Sequence, residues 1–284
     1  YGVGRLRYSI VVVGRCGIRT MDLCQPRPSL SIALQALRER VWRGVHLIEA
    51  QAYYSVYLLN SKNMENEKKL AESKLFTPYK LGSTTLRNRV IRSAAFESMG
   101  KDFAPTQALK DYHVSVAKGG VGMTTVAYAS INRSGISFNK QLWLRDEIVP
   151  ALRDLTDAVH NEGAAVGIQL GHCGNMTHWS TAGCFPVSAS NGFNLYSPTF
   201  HRRMRKEEIK QFAKDFGTAV ETAYNAGFDS VEVHAGHGYL ISQFLSPYTN
   251  HRRDEFGGSL ENRMRFMNMC LEEVMEQAAR CNMA

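Results

Sequence analysis

His234, His237 and Tyr239 stand within six residues of one another, inside the stretch DSVEVHAGHGYLISQFLSPYTNHRRDEFGGSLEN that spans 229–262. Two imidazoles and a phenol so close together make a device that can hold an oxyanion and deliver a proton. Gly236 and Gly238 let the backbone bend tightly around them. Residues 230–233 alternate Val231 and Val233 against polar neighbours, which reads as a short strand whose end presents the three side chains. Two other readings stay open on these residues alone. The histidines are buried hydrogen-bonders and the tyrosine is core, or the His-x-x-His pair binds a metal with further ligands and a second shell.

The elements that must position this group follow a repeated pattern. A small hairpin is expected around Gly82-Ser83, followed by a strand from Val90 and Ile91 into Ser93, Ala94 and Ala95. Helices are expected over 106–118, 148–161 and 207–225, each closed by a glycine, and a fourth starts near Ser259, a good N-cap. Strands are expected over 121–127 and 165–170 between them. Alternating strands and amphipathic helices imply a parallel sheet with right-handed crossovers. The excursions after the strands are long, above all 171–206, while the returns after the helices are short. That asymmetry fits a (β/α)8 TIM-type barrel with its site at the strand C-terminal ends. The competing doubly wound sheet lacks its Gly-x-Gly-x-x-Gly after the first strand.

Composition narrows the classes. Of the net charge of +8, residues 1–63 hold most, with nine Lys/Arg against three Asp/Glu, and the remainder is nearly balanced. The main domain therefore has no nucleic-acid footprint, and no apolar run is long enough to span a membrane. The six cysteines form no Cys-x-x-Cys pair, which argues for free thiols in a reducing, cytoplasmic compartment. Residues 1–63 share no periodicity with the rest: an apolar run at 9–13, a Cys/Pro/Arg-rich stretch, then a helical piece around 31–43. The chain opens on Tyr1, and Met64 begins a stretch that reads like a natural start. Residues 1–63 are thus expected to be an extension without a packed role, with the domain proper over 64–284.

Four stretches resemble the old yellow enzyme family, the FMN-dependent NAD(P)H:flavin oxidoreductases and ene-reductases. They are LFTPYKLGSTTLRNRVIRSAAFESM, GGVGMTTVAYASINRSG, GIQLGHCGN and VEVHAGHGYLISQFLSPYTNHRRDEFGGSLENRMRF, over about residues 74–270. The resemblance implies a β/α barrel with FMN at the strand mouths and NADH or NADPH as reductant. Carried over by position, Ser93, Ala94, Ala95 and Phe96 match the loop that lies against the flavin ring. Family members often carry Pro, Thr, Cys or Met there, so Ala95 removes a side chain that could tune the flavin. Tyr128 matches a position whose backbone approaches the flavin, and Gln169 matches the glutamine that hydrogen-bonds its pyrimidine side. His234 and His237 match the pair that grips the substrate's carbonyl or nitro oxygen, and Tyr239 matches the proton donor to an activated alkene. His172, near the same mouth, reads as structural.

Only four strand–helix units fit into the chain, which reaches its end in the fourth helix. The family's flavin-contacting arginine and phosphate loops come from the second half of the barrel. A fragment of a longer oxidoreductase is expected, with weak FMN binding by the present chain. Half a barrel leaves two open sheet edges, which invite pairing with a second copy. The alternative function is accordingly a non-catalytic half-barrel that does not retain FMN.

Overall fold

The computed structural model describes residues 9–14, 17–22 and 73–284. Two short antiparallel strands, β3 (Tyr79–Leu81) and β4 (Thr84–Leu86), form the hairpin expected around Gly82, whose φ of +55° suits a residue without Cβ. β5 (Val90–Arg92) then opens the main sheet. It is followed by α1 (Gln107–Lys118), β6 (Met123–Ser130), α2 (Val149–Asn161), β8 (Ala165–Gly171), α4 (Lys206–Asn225), β12 (Ser230–Val233) and α6 (Leu260–Cys281). Between these lie β7 (Leu142–Trp143), the single helical turn α3 (Trp179–Ala182) and α5 (Leu240–Leu245). The excursion after β8 also carries its own small sheet of β9 (Val187–Ser188), β10 (Gly192–Asn194) and β11 (Thr199–Arg203).

Local chemistry sets the helix boundaries. Thr106 Oγ1 accepts from the Leu109 amide at 3.3 Å to start α1, and Ser259 Oγ accepts from Asn262 at 3.3 Å to start α6. Glu208 reaches back to accept from the Arg205 amide at 2.7 Å at the head of α4. β6 shows no alternation because all eight of its residues are buried, the mark of a strand covered on both faces.

β5, β6, β8 and β12 pair in parallel in that spatial order, and β7 adds onto the end of β6. Val166, Ile168 and Leu170 of β8 turn outward into one core with Leu152 and Leu155 of α2, Phe216 and Val220 of α4 and Phe266 of α6. The other face of the sheet is the barrel interior. There Leu86, Ile91 and Met123, with Tyr79, Leu81 and Ala165 packed on them, make an apolar floor under the strands. Four consecutive β/α units on one curled parallel sheet are the first half of a (β/α)8 barrel. At the outer edge of β12, the Ala284 amide donates to Asp229 and its carbonyl accepts from Val231, both at 3.1 Å.

The leading segment contributes β1 (Ser9–Gly14) and β2 (Gly17–Asp22), an antiparallel hairpin whose first strand lies antiparallel on β5, with Val11 opposite Ile91. The apolar run at 9–13 is thus a strand paired to the sheet rather than a free tail. The helical piece expected around 31–43 and the start expected at Met64 lie outside the described residues. Among the described residues, no helix is long and apolar enough to cross a membrane.

Candidate active site

The strand mouths of β6, β8 and β12 bring the residues singled out by spacing into one cluster. His234 follows β12 directly, its amide still donating to Leu170 of β8 at 2.8 Å. The chain then turns through His237 and Gly238, at φ +55° and +72°, before Tyr239 leads into α5. The turn is fixed from below. Gln243 donates to the Gly238 carbonyl at 2.7 Å, Ser242 donates to Ala235 at 2.6 Å, and the Leu240 amide donates to the His172 carbonyl at 2.9 Å.

His237 Nδ1 and His234 Nε2 are 3.1 Å apart, one donating to the other. The Tyr239 ring stands edge-on to His234 at 5.0 Å between centroids and 6.5 Å from His237. Tyr128, from the end of β6, packs against Tyr239 at 5.1 Å and His234 at 5.7 Å. That approach depends on Gly171, where a Cβ would sit 2.9 Å from the Tyr128 ring. His234 is buried while His237 is exposed and Tyr239 half-buried. Burial and the neighbouring His237 push the pKa of His234 down to about 4, so its ring is neutral near pH 7. Burial pushes the Tyr128 phenol well above its usual value, and its hydroxyl is bonded to Ser137 Oγ, so Tyr128 stays protonated.

The loop after β5 lies beside this cluster. Ser93, Ala94 and Ala95 are half-buried. Phe96 is more exposed, stacks on Phe138 at 4.9 Å and reaches Tyr128 at 6.3 Å. Gln169 stands one strand over on the inner face, where its side-chain amide donates to Glu232 at 2.5 Å. It therefore engages the neighbouring carboxylate rather than a member of the aromatic cluster.

Sequence reasoning missed three positions here. Glu232 alternates correctly for the inner face, a signal that was available. Gln243 is a buried hub that also donates to Cys173 and accepts from Asn175 and Ser188, a set of long-range bonds with no mark in the sequence. Glu97, buried beside Arg92, is the third. His172 is structural as expected: its Nδ1 accepts from the Gly174 amide at 3.0 Å, leaving Nε2–H to donate to Ser134 Oγ at 3.0 Å. Burial alone takes its pKa down to about 3. Among the described residues no group of three or more His, Cys, Asp or Glu is placed to hold a metal, and Cys173, Cys184, Cys270 and Cys281 are free.

A half-barrel whose strand mouths gather two imidazoles and two phenols has the layout of a β/α-barrel catalytic site. The chain belongs to the NADH:flavin oxidoreductase / NADH oxidase family, which its residues 74–282 match. It is 38% identical over 208 residues to the NADPH dehydrogenase of Listeria welshimeri, covering 72% of this chain and 60% of that protein. It is 36% identical over 200 residues to the 4,4'-dithiodibutanoate disulfide reductase of Rhodococcus erythropolis, covering 70% of this chain and 50% of that one. Among solved structures, the old yellow enzyme homologue of Zymomonas mobilis superposes with a TM-score of 0.69 at 29% identity, over 74% of this chain and 62% of that one. Morphinone reductase in complex with tetrahydroNAD gives the same values. The chain thus spans about half to three fifths of the length of these curated relatives. FMN, reduced by NADH or NADPH, is the cofactor of this family.

Proposed function

We propose that this chain supplies the substrate-activating half of an FMN-dependent oxidoreductase that draws on NADH or NADPH and reduces activated alkenes such as enones. The observation that carries the reading is the His234–His237–Tyr239 cluster, set on Tyr128 at the strand mouths. The residues present suit the ring end of FMN. The small, half-buried Ser93, Ala94 and Ala95 line one mouth, and Gln169 offers an amide on the adjoining inner face. When bound, FMN would supply hydride chemistry at the alkene β-carbon.

The rest falls to the chain's own side chains. The His234 ring is neutral and hydrogen-bonded to that of His237, so one N–H of the pair is already committed. An oxygen that accepts from both rings must displace that mutual bond, after which both donors face the developing oxyanion. Tyr239 delivers the proton to the α-carbon. Tyr128, protonated and packed beneath, keeps water from the rear of Tyr239 and holds its ring against His234.

In an enzyme containing both halves of the barrel, Tyr239→Phe should leave reduction of the flavin by NAD(P)H nearly intact. Its turnover of an enone should fall by roughly 10²–10⁴-fold. Stopped-flow measurement of each half-reaction decides it: equal slowing of both would remove Tyr239 from the proton-transfer role. A second reading, a non-catalytic half-barrel, is favoured by the exposure of Glu232 on the inner face and by the bond that already occupies Gln169. Fluorescence titration with FMN, run on the 284-residue chain and on the chain joined to the second half of a barrel, separates the two. Stoichiometric quenching by either supports the enzyme reading, and quenching by neither supports the half-barrel.

A further inference from the structure

The backbone ladder between β5 and β6 stops early. It pairs Ile91 with Met123 and Arg92 with Thr124, after which the chain leaves β5 for the loop 93–99. On its other side β6 shifts register against β8 between Val126 and Ala129, leaving Ala127 and Tyr128 out of the paired positions. The strand mouth that carries Tyr128 is thus the least laddered part of β6. Two side chains take up its backbone groups. Arg92 donates through Nη1 to the Thr125 carbonyl at 2.5 Å, and Glu97 Oε2 accepts from the Ala127 amide at 3.2 Å. The two are joined to each other, Arg92 Nη1 to Glu97 Oε1 at 2.6 Å. Arg92 Nη2 also donates to the Ala95 carbonyl at 3.0 Å.

We propose that the Arg92–Glu97 ion pair is a positioning device that continues the β5–β6 ladder with side-chain groups, fixing the strand mouth from which Tyr128 meets His234 and Tyr239 and the loop that carries Ala95. It rests on the proposed function only for what Tyr128 and that loop serve. The pair is nearly sealed from water, with the Glu97 side chain 3% and the Arg92 side chain 17% exposed. Behind it, α1 supplies His113, whose Nδ1 is 2.8 Å from Thr124 Oγ1 and whose Nε2 stands 3.3 Å from Glu97 without hydrogen-bond geometry. Burial holds the His113 pKa below its usual value, so the charge that answers Glu97 is that of Arg92. Stability alone does not call for such a pair, because two well-packed apolar side chains serve a buried site as well or better. Two apolar side chains have no donor for Thr125 and no acceptor for Ala127.

That contrast gives the test. In the 284-residue chain, the Ala127 amide should exchange with deuterium as slowly as the laddered amides of β8. A 3-fluorotyrosine at Tyr128 should give one sharp 19F signal, shifted by the rings of Tyr239 and His234. Replacing both partners, Arg92→Met with Glu97→Met, strands the Thr125 carbonyl and the Ala127 amide, so Ala127 exchange should accelerate by about tenfold or more and the 19F signal should move or broaden. A double variant with wild-type exchange and an unmoved 19F signal would overturn the proposal, as would an Ala127 amide that exchanges at an open-loop rate in the wild type. Should the double variant not fold, Glu97→Gln, which keeps one oxygen for two donors, takes its place under the same two readouts. Neither readout involves flavin, so a failure of the flavin chemistry sinks the proposed function and leaves this inference standing.

Discussion

Two loops at neighbouring strand mouths each carry a histidine, and they have opposite characters. After β8, His172 is buried with both ring nitrogens bonded, Cys173 is fully buried, and Gln243 ties the loop to the turn before Tyr239. After β12, His237 is exposed and shares one bond with His234, while Tyr239 is half-buried. The first loop has used its hydrogen-bonding capacity within the protein. The second leaves a ring nitrogen of the exposed His237 outside that shared bond. Residue type and location are the same in both, so under the proposed function what would mark the substrate-binding histidine is bonding capacity left over rather than its place at a barrel mouth.

The sharpest way to break this contrast is to remove one histidine from each loop. His237→Ala should lower enone turnover in the complete enzyme by about 10²–10³-fold, the usual effect of losing one oxyanion donor. Its melting temperature should hardly move. His172→Ala should do the reverse, stranding the buried Gly174 amide. A buried polar group left without its partner costs about 1–3 kcal/mol. Matching effects of the two variants in both assays would erase the distinction.

Gln243→Leu should be close behind in its stability cost, since the Gly238 and Cys173 carbonyls both lose their donor. Chemical denaturation would report a loss of about 1–3 kcal/mol. A neutral result would mean that the two loops are not coupled through this amide.

Acid gives a further test of the buried histidines. His172 and His234 have native pKa values of about 3 and about 4, below the 6.5 of an unperturbed ring. As pH falls through 6.5 the unfolded chain takes up protons first, so stability is full above that pH and declines toward 4 and below. Melting temperatures across pH 7 to 4 should show the decline, and His172→Phe should flatten it. Imidazole 15N shifts should find the His172 ring neutral at pH 5, and a protonated ring there would contradict its burial.

Much of the fold was legible because the helices are capped and amphipathic and the strands are short and bracketed by glycine. The strand ending in His234 is Ser230–Val233 as read, and Ser259 caps the last helix. β6 was read short, over 121–127, because a strand buried on both faces loses its alternation at Tyr128–Ser130. The sheet of β9, β10 and β11 was not read at all, since strands of two to five residues stabilised by distant partners leave no period. In the site, the tight spacing of His234, His237 and Tyr239 was visible because one turn holds all three. The roles of Gln243, Glu97 and Arg92 were not, because each acts on backbone far away in the sequence.

His237 sits at φ +55°, a left-handed backbone that most side chains adopt only at a cost of about 1–2 kcal/mol. Asparagine tolerates this region better than most residues and glycine adopts it freely. Glycine would discard the donor, whereas asparagine would keep an N–H on a shorter arm. The repertoire open to this position is therefore close to two letters, His and Asn, and under the proposed function the choice between them would set how far from the backbone a substrate oxygen can be caught. A library built at residue 237 should yield function in those two classes and strain in the β-branched ones, which makes this position a lever on substrate size.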